Sequence, residues 1–78
     1  MKVIFIQLKC ELGRSYEVAA TLAEQDGVSE VYSVSGPFDL MAKCYLEEGD
    51  VGRYVARSIQ TLDGVTDTHT IITFNAFT

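Results

Sequence analysis

A chain of 78 residues with a net charge of -5 and a hydrophobic fraction of 47% can be only a few things. It is long enough for a single small domain, residues 1–78, that buries only about 60% of its unfolded surface, so one copy alone is marginally stable. Its 6 basic residues, scattered among 11 acidic ones, supply no phosphate-binding surface, which excludes direct nucleic-acid binding, and no apolar run nears the ~20 residues of a membrane span.

In chain order, residues 2–9 (KVIFIQLK) are short and rich in branched and aromatic side chains, which predicts a strand. The same run is too short for a secretory signal and lacks a small-residue cleavage site, so no leader is expected. Residues 15–25 set Val18, Ala19 and Leu22 on one side at helical spacing, with Gly27 just beyond as a stop. Residues 28–35 read as a second strand, and Gly36-Pro37 as a turn. A third strand is expected over residues 38–47. Asp50 then offers an N-cap to a helix carrying Val51, Val55, Ile59 and Leu62, which Gly64 closes. Residues 65–77 form the last predicted strand.

The order βαββαβ is one βαβ unit written twice. DGVSEVYSV begins at Asp26 and DGVTDTHTI at Asp63, an offset of 37 residues. The same offset carries Val18 onto Val55, Ala19 onto Ala56, Leu22 onto Ile59 and Val3 onto Leu40. A repeated half of this kind predicts an α+β, ferredoxin-like sandwich: a four-stranded antiparallel sheet with both helices on one face.

Alternation assigns the strand faces. Phe38, Leu40, Ala42, Cys44 and Leu46 are predicted to face the helices, and Asp39, Met41, Lys43 and Tyr45 to face away. On the last strand Thr66, Thr68, Thr70, Ile72 and Phe74 share one side, with Val65, His69, Ile71 and Phe77 mostly on the other. The first strand is apolar on both sides, with Ile4, Ile6 and Leu8 opposite Val3 and Phe5. Two layers cover only one face of a sheet, and the uncovered apolar patch predicts a homo-oligomer, most simply a dimer joined sheet to sheet.

Cys10 and Cys44 form neither a C-x-x-C pair nor a disulfide framework. They read as reduced core thiols, in keeping with a cytoplasmic location, and no metal or cofactor is predicted. The residue that asks for a reason is Asp39, a carboxylate at the mouth of an apolar strand. In this architecture the second turn and the start of the last strand lie at one end of the sheet, bringing Gly36, Asp39 and the threonines Thr66, Thr68 and Thr70 toward one edge. An acceptor for an ammonium group and a row of hydroxyls could hold a small zwitterion. Turn chemistry and strand propensity account for the same residues without a ligand.

GVSEVYSVSGPFDLMAKCYL followed by LDGVTDTHTIITF resembles the effector-binding domain of the Lrp/AsnC (leucine-responsive, or feast/famine) transcriptional regulators. The family pattern falls on Gly27-Val28, Tyr32, Gly36-x-x-Asp39, Gly64-Val65 and Thr68-x-Thr70, covering essentially the whole chain. The resemblance implies a domain that dimerises through its sheet, stacks dimers into a ring and binds an amino acid between them. The effector-binding residues it implies are Gly36, Phe38, Asp39, Thr68 and Thr70. It also implies full-length Lrp/AsnC-type regulators as candidate partners. Two departures stand out: the family's helix-turn-helix is not in this sequence, so a stand-alone effector domain is expected, and Pro37 occupies a variable turn position.

The rival is a small dimeric α+β barrel enzyme, of the cofactor-free oxygenase or isomerase type. His69 is the sole histidine, and no Ser/His/Asp or Cys/His spacing singles out a catalytic set, so no catalytic residue and no enzyme is predicted. A metal-carrier domain would need paired cysteines after the first strand, where Cys10 stands alone. An acylphosphatase would need a Gly-rich loop with an arginine there, and none follows.

Overall fold

In a computed structural model that describes residues 1–47 and 49–78, the chain runs β1 (Lys2–Cys10), α1 (Ser15–Leu22), β2 (Val28–Ser33), β3 (Leu40–Leu46), α2 (Val51–Tyr54) and β4 (Val65–Ile72). A π-helical turn, Val55–Ile59, continues α2. The four strands form one antiparallel sheet in the order β2-β3-β1-β4, the ferredoxin-like arrangement expected from the duplicated halves.

The core lies between one face of this sheet and the helices. Ile4, Ile6 and Leu8 of β1, Leu40, Ala42 and Cys44 of β3, Val18 and Leu22 of α1, and Ile59 of the π turn are all buried. Each large aliphatic side chain removed from water contributes about 1.5–3 kcal/mol, so this single layer dominates the stability of so short a chain. Both thiols are free and buried, Cys44 completely.

Local chemistry sets the helix ends. Asp50 is extended, and its Oδ1 accepts the Arg53 amide hydrogen bond at 3.0 Å, the N-cap that the sequence announces. Helix α1 has no such cap. Arg14 stands in that position, and its guanidinium pairs with Glu11 at 2.7 Å and with Glu17 and Asp63 at 2.9 Å. Those bonds hold the Glu17 and Asp63 carboxyls below their ordinary range.

The two Asp-Gly turns are each braced by a helix. The Tyr54 hydroxyl donates to the Asp26 carbonyl at 2.7 Å, and Arg14 reaches Asp63. Gly64 is left-handed, with φ of 96°, and a Cβ there would sit 2.8 Å from Val18 Cγ2, so no larger residue fits.

Several boundaries differ from those read in the sequence. Helix α1 ends at Leu22 rather than at residue 25. The second helix is not α-helical throughout: Gln60 donates to the Val55 carbonyl five residues back at 2.8 Å, a wider turn that apolar spacing does not distinguish from α. β3 starts at Leu40, so Phe38 and Asp39 precede it, and Phe38 does not join the helix-facing stripe.

β4 ends at Ile72 rather than at residue 77: Ile4 pairs with Ile72, Thr73 keeps only a long 3.4 Å amide bond to the Val3 carbonyl, and β1, which begins at Lys2, has no residue to set opposite Phe77. Phe74 and Phe77 therefore lie on no strand. Val65 also changes sides. A bulge between Lys9 and Cys10 sets Val65 opposite Cys10 and against the core.

The other sheet face is open. Val3, Phe5 and Met41 are half-buried there and Tyr32 and Ile71 exposed, around a polar group in which Lys43 lies 3.7 Å from Glu30 and over the Tyr45 ring. The Tyr32 hydroxyl donates to Glu30.

Candidate functional site

The second turn and the start of β4 meet at one end of the sheet, on either side of β1. Gly36 is left-handed, φ 97°, and a Cβ would meet nothing within 4 Å, so the backbone there is open to approach. Asp39 is held on three sides. Its amide donates to the Leu8 carbonyl at 2.9 Å, its carbonyl accepts from Val34 at 3.0 Å, and its Oδ2 accepts from the Cys10 amide at 2.8 Å.

Since Leu8 pairs with Leu40, a continued ladder would bring residue 38 opposite Cys10. The chain turns away at Pro37 instead, and the Asp39 carboxylate supplies the acceptor in place of a backbone carbonyl. Burial pushes the Cys10 thiol up, and the charge of Asp39 adds to the rise.

Phe38 is half-buried with its ring 6.2 Å from that of His69, tilted by 35°. His69 pairs with Gln7 and belongs to the open face. Lys9 crosses the same region, its Nζ donating to the Pro37 carbonyl at 3.2 Å.

Thr68 and Thr70 pair with Leu8 and Ile6, which places both on the helix side of β4. Thr68 Oγ1 accepts from Gln60 Nε2 at 2.8 Å, and beside them a cleft of about 250 Å³ is lined by Gln60, Val65, Thr66, Asp67 and Thr68. Thr66 is the extra residue of the bulge, and its hydroxyl donates to the Lys9 carbonyl at 3.1 Å. Asp67 Oδ1 accepts from the Thr68 amide at 2.9 Å.

The residues singled out in the sequence thus share one end of the sheet but not one cavity. Gly36, Phe38 and Asp39 gather at the turn and Phe38 reaches His69, while Thr68 lines the cleft under β4 and Thr70 follows it on the same side of the strand, opposite Ile6. Gln60 is the polar side chain of this region that sequence reasoning missed. It follows the π turn, and nothing in helical spacing marks a residue whose partner lies across a loop. Among the described residues no group of three or more His, Cys, Asp or Glu is placed to hold a metal ion, and no helix is long and apolar enough to cross a membrane.

A four-stranded ferredoxin-like sheet with both helices on one face carries an open turn glycine, a tethered turn carboxylate and a threonine-bearing last strand at one end. Residues 3–78 match the family described as the Lrp/AsnC ligand binding domain, and the chain belongs to that family. The HTH-type transcriptional regulator FL11 of Pyrococcus horikoshii is 32% identical over 68 residues, 87% of this chain but 45% of that protein. This chain therefore spans about half the length of the curated relatives it matches.

Among solved structures, TTHA0845 from Thermus thermophilus has a TM-score of 0.89 at 34% identity, covering 100% of this chain and 99% of that one. The transcriptional regulator NMB0573 of Neisseria meningitidis, solved as an L-Met complex, has a TM-score of 0.85 over 99% of this chain and 52% of its own, and at 14% identity it shares the fold.

Proposed function

We propose that this chain is an amino-acid-binding and assembly domain that modulates transcriptional regulators rather than an enzyme. The observation that carries this is the family match over residues 3–78. The L-Met complex of a regulator with the same fold supports an amino acid as the class of effector.

In this proposal the site lies where copies meet at the turn end of the sheet. Oδ2 of Asp39 is committed to the Cys10 amide, and Oδ1 receives the ligand's ammonium group. Gly36 leaves room for the ligand backbone, Phe38 flanks its apolar part, and Thr68 and Thr70 of an adjoining copy address its polar end. The open sheet face, with Val3, Phe5, Met41 and Tyr45, joins two copies into a dimer, and dimers join into a ring. The protein works in the cytoplasm without a cofactor, with full-length Lrp/AsnC-type regulators as partners.

Calorimetry with a panel of free amino acids tests the proposal. One or a few should bind, and Asp39→Asn should weaken that binding about tenfold to a hundredfold by removing a charge-assisted hydrogen bond. Binding of no amino acid at millimolar concentration, or equal binding by both proteins, would defeat the assignment.

A further inference from the structure

Beyond Ile72 the chain leaves the sheet, and its last six residues carry two phenylalanines that nothing in their own chain covers. Phe74 is 93% and Phe77 94% exposed. The residues around them, Thr73, Asn75, Ala76 and Thr78, line a depression of about 480 Å³ together with Val3, Phe5, Lys43 and Tyr45 of the open sheet face. One copy therefore presents both an apolar depression and two rings that do not enter it.

We infer that the carboxy-terminal segment is a reciprocal clamp, in which Phe74 and Phe77 of one copy pack into the open-face depression of a second copy. The inference rests on the sheet-to-sheet assembly proposed above and adds to it the element that closes the pair.

Area and symmetry favour a second copy as the occupant. Val3, Phe5 and Met41 are half-buried within one chain, so each has less area left to cover in a sheet-to-sheet contact than either exposed phenylalanine. A fully exposed aromatic ring buries about 150–250 Å² when covered. Four rings in a reciprocal pair supply roughly 600–1,000 Å², a large part of the about 1,200–2,000 Å² of a specific interface. A two-fold axis lets one surface serve as both donor and acceptor, as an isologous contact requires. Facing sheets stack about 10 Å apart, within reach of a ring carried on a segment leaving the sheet edge.

Sedimentation and disulfide trapping test this. The double variant Phe74→Ser/Phe77→Ser should keep the folded circular dichroism spectrum, since neither ring belongs to the core. Its dimer dissociation constant should rise at least about thirtyfold, as loss of central aromatic anchors does. Chains carrying only Phe77→Cys, mixed with chains carrying only Tyr45→Cys, should form a disulfide-linked pair of twice 8.6 kDa. The native thiols are buried and do not compete.

An unsubstituted chain that sediments as a dimer yet gives no cross-link would overturn the clamp while leaving the effector assignment intact. A single chain carrying both cysteines that closes on itself at monomer mass would overturn it in favour of the chain's own tail. A monomeric unsubstituted chain would overturn the clamp together with the assembly and the between-copy site that depends on it.

Discussion

Replacing Asp39 by Ala removes the acceptor of the Cys10 amide at the point where the β1–β3 ladder stops. That amide is partly buried and cannot recover its full hydration, so the loss is that of a charge-assisted hydrogen bond, about 1.5–3 kcal/mol. For 78 residues at roughly 0.05–0.15 kcal/mol each, total stability is about 4–12 kcal/mol, so this one bond is a substantial fraction. Asp39→Asn keeps an oxygen in the same place and should cost about half as much or less. Urea unfolding followed by circular dichroism measures both, with protein concentration held fixed because assembly adds to apparent stability. In thermal melts the Ala variant should fall by about 6–20 °C. An Ala variant within about 0.5 kcal/mol of the unsubstituted chain would refute the tethering role and return Asp39 to a pure ligand contact. The contrast also separates two roles: Asn should preserve the fold while weakening ligand binding, whereas Ala should damage both.

Gly64→Ala combines left-handed backbone strain with a Cβ driven to 2.8 Å from the stiff, buried Val18; about 2–6 kcal/mol is expected, enough to leave much of the protein unfolded, as melting will show. Arg14 holds the Glu17 and Asp63 carboxyls low in the folded state, so their contribution is present above the ordinary carboxylate range and is lost as pH falls through the depressed values; acid unfolding of Arg14→Gln should be flatter than that of the unsubstituted chain below about pH 4. With a net charge of -5, the chain should not retard random duplex DNA at physiological salt, and a shift that survives moderate salt would contradict the charge reasoning.

Much of the fold was legible because the same signals occur twice: an apolar strand, a helical stripe, an Asp-Gly-Val turn and a second strand. Pleat parity then placed Ile4, Ile6, Leu8, Leu40, Ala42 and Cys44 in the core, where they lie. What failed were features that depend on a neighbour distant in the chain. Phe74 and Phe77 were read into the last strand, yet a strand exists only where a partner pairs with it; the β1–β4 pairing stops at Ile4–Ile72, and β1 has no residue at all opposite Phe77. The bulge that turns Val65 inward has no composition of its own. For Asp39 the sequence offered a turn residue or a ligand acceptor but not a tether, because its partner, the Cys10 amide, lies 29 positions away. The turn Gly36–Asp39 was readable as a site from its residue types, whereas the Gln60–Thr68 hydrogen bond needed the geometry of the π turn.

The braces on the two Asp-Gly turns run crosswise. The turn of the first half, at Asp26 and Gly27, is held by Tyr54 and by the Tyr45 amide, which donates to the Gly27 carbonyl at 2.8 Å; both belong to the second half. The turn of the second half, at Asp63 and Gly64, is held by Arg14 and by the Glu11 amide, which donates to the Gly64 carbonyl at 2.8 Å; both belong to the first. Each half closes its own turn with one backbone bond, Val28 to the Gln25 carbonyl and Val65 to the Leu62 carbonyl, both at 3.2 Å, and takes the remaining braces from the other half. A fragment of about 37 residues would hold its turn by that bond alone, while two fragments mixed together should complement each other.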